Sequence, residues 1–192
     1  AIQLANIAGG LEVEKIGVAT VTREEMLHDI RHGSAPTAVG KVLPREELLA
    51  EVQRRRATGQ RVAFTNGCFD VLHAGHVQYL TEARAQGDFL VVALNSDDSV
   101  RRLKGPTRPA NDQDSRAEVL AALQCVDLVT VFDESTPLEL IRELLPDVLV
   151  KGADYRRDQV VGADEVEAAG GRVHLATLRP GVSTTRILQR LE

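Results

Sequence analysis

Arg61-Val62-Ala63-Phe64-Thr65-Asn66-Gly67-Cys68-Phe69-Asp70-Val71-Leu72-His73-Ala74-Gly75-His76 is the stretch whose reading decides the fold of this chain. Its first five residues read as a strand, Gly67 permits a tight turn, and the following run with Val77, Leu80 and Ala83 has helical spacing. Strand, turn and helix in that order put the turn at the carboxyl edge of a sheet, beside a helix N-terminus. The first N–H groups of a helix lack intrahelical partners and carry partial positive charge, so an anion there gains hydrogen bonds and a favourable dipole. Gly75 keeps the backbone accessible. His73 and His76, three residues apart, would project to one side of a helical turn and donate to oxygens of one phosphate. The pattern predicts a phosphate-handling site. The same residues admit two other readings: a half-exposed histidine pair without a role, and a zinc site with Cys68 as third ligand.

Outward from this stretch the chain alternates. Residues 62–65, 89–94, 128–132, 148–150 and 173–175 read as strands, and residues 44–56, 113–123 and 137–145 as helices, with Pro44 suited to a first helical turn. Alternation of this kind implies right-handed crossovers and a doubly wound, Rossmann-like α/β fold, a parallel five-stranded sheet with helices on both faces. Ligands in such sheets sit beyond the carboxyl ends of strands at the topological switch point, where residues 65–76 would lie. The sequence carries no internal repeat, no Walker-type loop and no dinucleotide glycine fingerprint.

At 192 residues with 43% hydrophobic and 27% charged side chains, the chain can bury one core plus a small appendage. Its net charge of -5 argues against sequence-independent nucleic-acid binding, so anionic ligands must meet local cations. No apolar run approaches the ~20 residues that span a bilayer, and no signal peptide opens the chain. A cytoplasmic location is expected, with neither nucleic acid nor membrane as partner. Cys68 and Cys125 do not make a disulfide framework and are expected to be reduced. Near the end, Pro180-Gly181-Val182 breaks structure, and Ser183-Thr184-Thr185 opens a helical run through Ile187, Leu188 and Leu191. Ser183 suits an N-cap, but three hydroxyls exceed what a cap needs.

The run from Thr65 to His76 resembles the signature of the HxGH nucleotidyltransferases, and within them that of the heptose 1-phosphate adenylyltransferases of lipopolysaccharide precursor synthesis. Further segments resemble that family in order: Asn95-Ser96-Asp97, Arg102-Leu103-Lys104-Gly105, Arg108-Pro109, Arg116, Val126-Asp127, Thr136-Pro137, the run from Pro146 to Tyr155, and Ser183-Thr184-Thr185. The likeness runs from about Val42 to the end. It implies adenylyl transfer from ATP to D-glycero-β-D-manno-heptose 1-phosphate, giving ADP-heptose and pyrophosphate. It makes His73 and His76 the catalytic stabilisers. Nucleotide and phosphates would meet Thr65, Asn66, Gly67, Cys68, Phe69, Gly75, Lys104, Arg108, Arg116 and Lys151, with Gly152, Asp154 and Tyr155 shaping the base pocket. Ser183, Thr184 and Thr185 would contact the β- and γ-phosphates, with charge added by Arg186, and Lys41 would be an extra phosphate contact. Asp70, Asn95 and Asp97 would serve the sugar phosphate. Asp70 has two alternative readings, as an organiser of its turn or a group approaching magnesium. Mg2+ is expected on the triphosphate oxygens, with no protein metal ligand. Arg101 and Arg102 read as solvated surface. The resemblance leaves room for a homo-oligomer.

Residues 1–30 resemble the last helix and tail of a ribokinase-like sugar kinase, which some heptose enzymes carry in front of the transferase. The implied layout is a kinase tail at 1–33, a linker at 34–43 and a nucleotidyltransferase domain at 44–192. An unrelated helical extension is the competing reading of residues 1–30. The chain begins at Ala1 and its only methionine is Met26, so a fragment or processed product of a bifunctional parent is expected, without kinase activity of its own. Two rivals for the whole chain stay open. One is a cytidylyltransferase for a polyol phosphate such as glycerol 3-phosphate, which shares the histidine motif and the Ser-Thr-Thr segment. The other is a catalytically idle oligomerisation or docking module.

Overall fold

The computed structural model describes residues 38–177 together with Arg179, Gly181, Thr184 and Ile187. The expectations for residues 1–37, and for Ser183, Thr185 and Arg186, lie outside the described residues. Strands β1 (Val62–Gly67), β2 (Phe89–Asn95), β3 (Leu128–Phe132), β4 (Val148–Gly152) and β5 (Arg172–Ala176) form a parallel sheet in the order β3-β2-β1-β4-β5. Helices α1 (Ala38–Lys41), α2 (Arg45–Ala57), α3 (Ala74–Arg84), α4 (Asp97–Lys104), α5 (Gln113–Ala121), α6 (Leu138–Leu144) and α7 (Ala163–Ala168) connect the strands or precede them.

The period-2 alternation of strand side chains sorts the apolar residues into two layers. Val62, Phe64, Phe89, Val91 and Leu149 face one side, packing with Leu48 and Val52 of α2, Leu140, Ile141 and Leu144 of α6 and Val166 of α7. Ala63, Leu90, Val92, Leu94, Val148 and Val150 face the other, against Tyr79, Leu80 and Ala83 of α3 and Ala117, Leu120 and Ala121 of α5. Burial on both faces is why β1, β2 and β4 read as continuous apolar runs. At the amino edge, carboxylates take N–H groups from the first two residues of two strands: Asp147 accepts from Val62 at 2.8 Å and Asp127 from Leu90 at 2.7 Å.

β1, β2 and β4 run one or two residues past their apolar stretches, while β3 keeps its expected bounds. β1 continues through Asn66 and Gly67 because both keep the ladder with β2, opposite Ala93 and Leu94. Against β4, by contrast, β1 pairs only at Ala63↔Val148 and Phe64↔Leu149. Residues 38–43, expected as the end of a linker, pack on the sheet instead. Val42 bridges Val129 at the β3 edge, and the Lys41 ammonium donates to the carbonyls of Leu123 (3.2 Å) and Val126 (2.8 Å). Lys41 is thereby spent on the turn after α5 and is not a phosphate contact.

None of the described helices is long and apolar enough to cross a membrane. Gly162 holds φ +84 at the start of α7, and a Cβ there would lie 2.8 Å from Ile141. Gly162→Ala is expected to lose about 1–3 kcal/mol in urea unfolding, through overpacking and a left-handed alanine.

Candidate active site

The sequence builds the site at the carboxyl edge of β1, where the chain turns sharply into α3. Phe69 takes up the turn with φ 42, a left-handed conformation that is costly for a bulky residue, and sits against Gly67, where a Cβ would meet its ring at 3.0 Å. The turn delivers His73 to the N-cap of α3 rather than into the helix. Its backbone is extended (φ -146, ψ 169), and its Nδ1 accepts from the His76 N–H at 3.4 Å while its carbonyl accepts from the same N–H at 2.8 Å. The two imidazoles stack, with centroids 3.9 Å apart and planes 15° apart, and the Phe69 ring meets His76 edge-on at 5.3 Å. An accepting Nδ1 assigns the His73 proton to Nε2, leaving that N–H as donor. In His76, Nδ1 is buried without a partner among the described residues.

These rings line a pocket of about 450 Å³ together with Asn66, Gly67, Cys68, Phe69, Asp70, Gly75, Lys104, Lys151, Gly152, Asp154, Tyr155 and Thr184. Lys151 donates to the Asn66 carbonyl at 3.3 Å and to the Asn66 side-chain oxygen, and it stands 5.7 Å from the Tyr155 ring centre. Burial pulls its amino group down from 10.5 to about 8, against the attraction of Asp154 and Cys68. Burial, with His73 and Lys104 adding repulsion, brings His76 down to about 4, and burial also lowers His73. Burial pushes the Cys68 thiol up, despite Lys104 and Arg116 nearby. The pocket thus holds neutral imidazoles beside an ammonium whose charge is poorly solvated, an electrostatic profile suited to binding an anion.

The family model described as cytidylyltransferase-like matches residues 64–190, from the middle of β1 almost to the end of the chain. The chain belongs to the cytidylyltransferase-like family. Among curated relatives, "Bifunctional protein HldE" of Syntrophotalea carbinolica is 55% identical over 193 residues, covering 100% of this chain and 39% of the relative. The protein of the same name from Azorhizobium caulinodans is 53% identical over 190 residues, covering 98% of this chain and 40% of its own. This cytidylyltransferase-like chain therefore spans about two fifths of the length of these relatives. The crystal structure of a lipopolysaccharide core biosynthesis protein from Thermoplasma volcanium superposes with a TM-score of 0.52 at 30% identity, covering 63% of this chain and 98% of that one. A pantoate-beta-alanine ligase from Francisella tularensis shares the fold alone, with a TM-score of 0.52 at 14% identity over 77% of this chain and 75% of that one.

Not every residue expected at this cytidylyltransferase-like site reaches the pocket. Arg116, read as a phosphate cation, is buried (1% exposed side chain) and fully engaged. It donates to the carbonyls of Asn111 (3.0 Å), Cys68 (2.5 Å) and Asn95 (3.0 Å) and to the Asp97 carboxylate (2.7 Å). Asp97, expected on the sugar phosphate, is the partner in that pair, and Asn95 is buried with its amide donating to Ser99 at 3.0 Å. Arg108, also read as a phosphate cation, pairs with Asp70 at 2.5 Å. Asp70 fills its other oxygen with the N–H groups of Ala110 (2.7 Å) and Asn111 (3.3 Å), so of its three readings the ordering of the turn is the one its contacts serve. Asp70 and Asp154 are the carboxylates of the pocket lining, and the described residues hold no cluster of three or more metal-ligating side chains. The zinc reading of Cys68 with the two histidines has no such cluster to rest on. Thr65 lies just below the lining, bonded to Tyr79. Thr184 reaches the histidine turn, its hydroxyl donating to the Val71 carbonyl at 3.2 Å. Arg101 and Arg102 are exposed and paired with Asp98 and Asp133. Two lining residues were missed in the sequence, Tyr79 and Arg179. The signal for Tyr79 was present: it lies three residues after His76, on the same helical face.

A Cβ on Gly75 would sit 3.0 Å from the His73 ring, the mobile member of the contact. Gly75→Ala should therefore displace the imidazole rather than the helix, lowering turnover at least about ten-fold while leaving thermal stability equal or slightly higher, since alanine favours helix by about 0.5–1 kcal/mol. The pH profile separates the two roles of Lys151. With a folded value near 8 against 10.5, the unfolded chain binds more protons between these limits, so stability of the free protein should rise over pH 8–10. Over the same interval kcat/KM should fall as the ammonium is lost, and Lys151→Met should abolish both trends. Below, His76 binds protons more readily unfolded, so the stability it contributes is lost as pH falls from 6.5 through about 4.

Proposed function

We propose that this chain transfers an adenylyl group from ATP to D-glycero-β-D-manno-heptose 1-phosphate, releasing pyrophosphate and forming ADP-heptose. The observation that carries the reading is the stacked pair His73–His76 capping α3 at the end of β1, in a pocket that also holds Lys104 and Lys151. An oxygen of the sugar phosphate attacks the α-phosphorus, a new P–O bond forms, and the bond to the β-phosphate breaks with pyrophosphate leaving in line. A phosphate monoester is already deprotonated at neutral pH, so the reaction needs no enzyme base and no enzyme nucleophile. It needs two mutually repelling anions held in line and charge stabilised on the five-coordinate phosphorus. Neutral imidazoles suit the second task, because each presents an N–H donor without a carboxylate partner to satisfy it. Lys104 and Lys151 offset the repulsion between the two substrates, and the helix N-terminus adds its dipole.

Magnesium enters this scheme with the triphosphate, whose oxygens and water would hold it, and supplies charge neutralisation on the leaving group. Asp70 fits that arrangement, since it is taken by Arg108 and two amides. The sugar assignment draws on the residue runs 65–76 and 146–155, on the relatives named HldE and on the similarity to a lipopolysaccharide core biosynthesis protein. Their name "bifunctional" supports a second activity in the part of their length that this chain does not match, and we assign none of it to the present residues. A cytoplasmic reaction follows from the use of ATP. Ser183 and Thr185, with Thr184, complete the proposal as contacts to the outer phosphates.

Pyrophosphate release measured with magnesium, ATP or CTP, and heptose 1-phosphate or glycerol 3-phosphate tests the proposal. Turnover is expected with ATP and the heptose phosphate. Turnover with CTP and glycerol 3-phosphate instead would move the chain to the polyol-phosphate cytidylyltransferases, and silence with all four pairs would favour the idle module. Replacing His73 or His76 by alanine should lower kcat by about ten- to hundred-fold, the loss of one charge-assisted hydrogen bond of roughly 1.5–3 kcal/mol in the transition state.

A further inference from the structure

The Tyr79 hydroxyl occupies the point where β1 and β4 separate. Ladder pairing between these strands stops at Phe64↔Leu149, while β1 stays paired with β2 through Gly67. The next residues in register would be Thr65 and Val150. The Tyr79 oxygen lies 2.6 Å from the Thr65 hydroxyl and donates to the Val150 carbonyl at 3.1 Å. A phenol has one proton to give, so the Thr65 hydroxyl is the donor in the other contact. One oxygen therefore bridges the two strands where their backbones no longer do. The next residues along, Asn66 and Lys151, face each other across the pocket and are themselves joined by hydrogen bonds. Tyr79 is also one turn beyond His76 on α3, so the bridge fixes the histidine-bearing helix to the same gap. Tyr79 is 7% exposed, and burial holds the phenol well above its ordinary value, so it stays protonated and able to donate.

We propose that Tyr79 is a positioning residue for the transfer reaction: its hydroxyl sets the width of the β1–β4 gap and thereby the placement of the His73–His76 pair relative to Lys151. It touches neither substrate in this role and acts through the groups it holds. The inference rests on the proposed transfer activity for its kinetic consequence, but not for its structural one.

The experiment pairs kinetics with imidazole NMR of the unliganded protein, for Tyr79→Phe, Thr65→Val, Thr65→Ser and the Tyr79→Phe/Thr65→Val double variant. Tyr79→Phe should lower kcat by about ten-fold with each KM changed less than about three-fold, as expected when a group acts on transition-state alignment rather than on binding. Thr65→Val should reproduce that loss, Thr65→Ser should restore wild-type kcat, and the double variant should be no worse than either single one, because both break the same bridge. The His73 and His76 ring signals should shift in Tyr79→Phe and Thr65→Val and stay in place in Thr65→Ser. Should Tyr79→Phe fold poorly, the two Thr65 variants carry the same comparison. Wild-type kcat and unmoved ring signals in Tyr79→Phe, or losses that multiply in the double variant, would overturn the proposal. If the wild-type protein turns over no substrate pair, the transfer reading fails, and the ring signals alone decide whether Tyr79 positions the histidines.

Discussion

The buried guanidinium of Arg116 is the constraint on which the site depends. Its donors gather the carbonyls of Cys68, at the end of β1, Asn95, at the end of β2, and Asn111, ahead of α5, together with the carboxylate of Asp97. Parallel strands leave their carboxyl ends as diverging loops, and nothing in the ladder holds those loops together. A single planar cation with donors in a fixed fork does so here. Because Cys68 opens the turn that carries Phe69 and Asp70, the clamp also fixes where the histidines begin. The Asp70–Arg108 pair repeats the device one layer out, tying the same turn to the segment before α5. Removing either arginine would leave buried acceptors without partners, which costs far more than the pair adds when intact.

The electrostatics follow a division along the strand axis. An overall charge of -5 does not describe the site, because carboxylates such as Asp127 and Asp147 are spent on strand beginnings while Lys151 of β4 and Lys104 at the end of α4 line the pocket. The same economy of contacts consumes Asp70 and Asp97 on Arg108 and Arg116, which leaves Asp154 as the carboxylate of the pocket lining that attracts Lys151. Desolvated imidazoles and a depressed ammonium are then the expected result, and both would be relieved by phosphate.

Much of this was legible from residues 61–76 and from the spacing of apolar runs, because a strand buried on both faces and a helix with one apolar stripe leave clear signatures. The β1 turn, the helix after it and the histidine pair at the carboxyl edge follow from that reading, whereas Lys104 and Lys151 were implied by the family resemblance. What failed to show was the partner of each charge. Arg108, Arg116 and Lys41 looked alike as cations, and only the fold distinguishes a guanidinium enclosed by carbonyls from an ammonium facing a pocket. His73 looked helical because the motif spacing is helical, yet its extended backbone makes it a cap. Tyr79 was missed although its spacing from His76 puts it on the same helical face, because that spacing says nothing of the strands its hydroxyl bridges.

Three of the four acceptors that Arg116 engages belong to the main chain. The clamp therefore constrains the path of the backbone at Cys68, Asn95 and Asn111 and is indifferent, in its own hydrogen bonds, to which side chains those positions display. Residue identity is demanded at 116 by the fork itself, whereas at Asn95 and Asn111 it is set by separate side-chain bonds, to Ser99 and to the Asp70 carbonyl. A clamp of this kind fixes the path of the turn through its backbone and leaves the side chains displayed there to be held by other contacts.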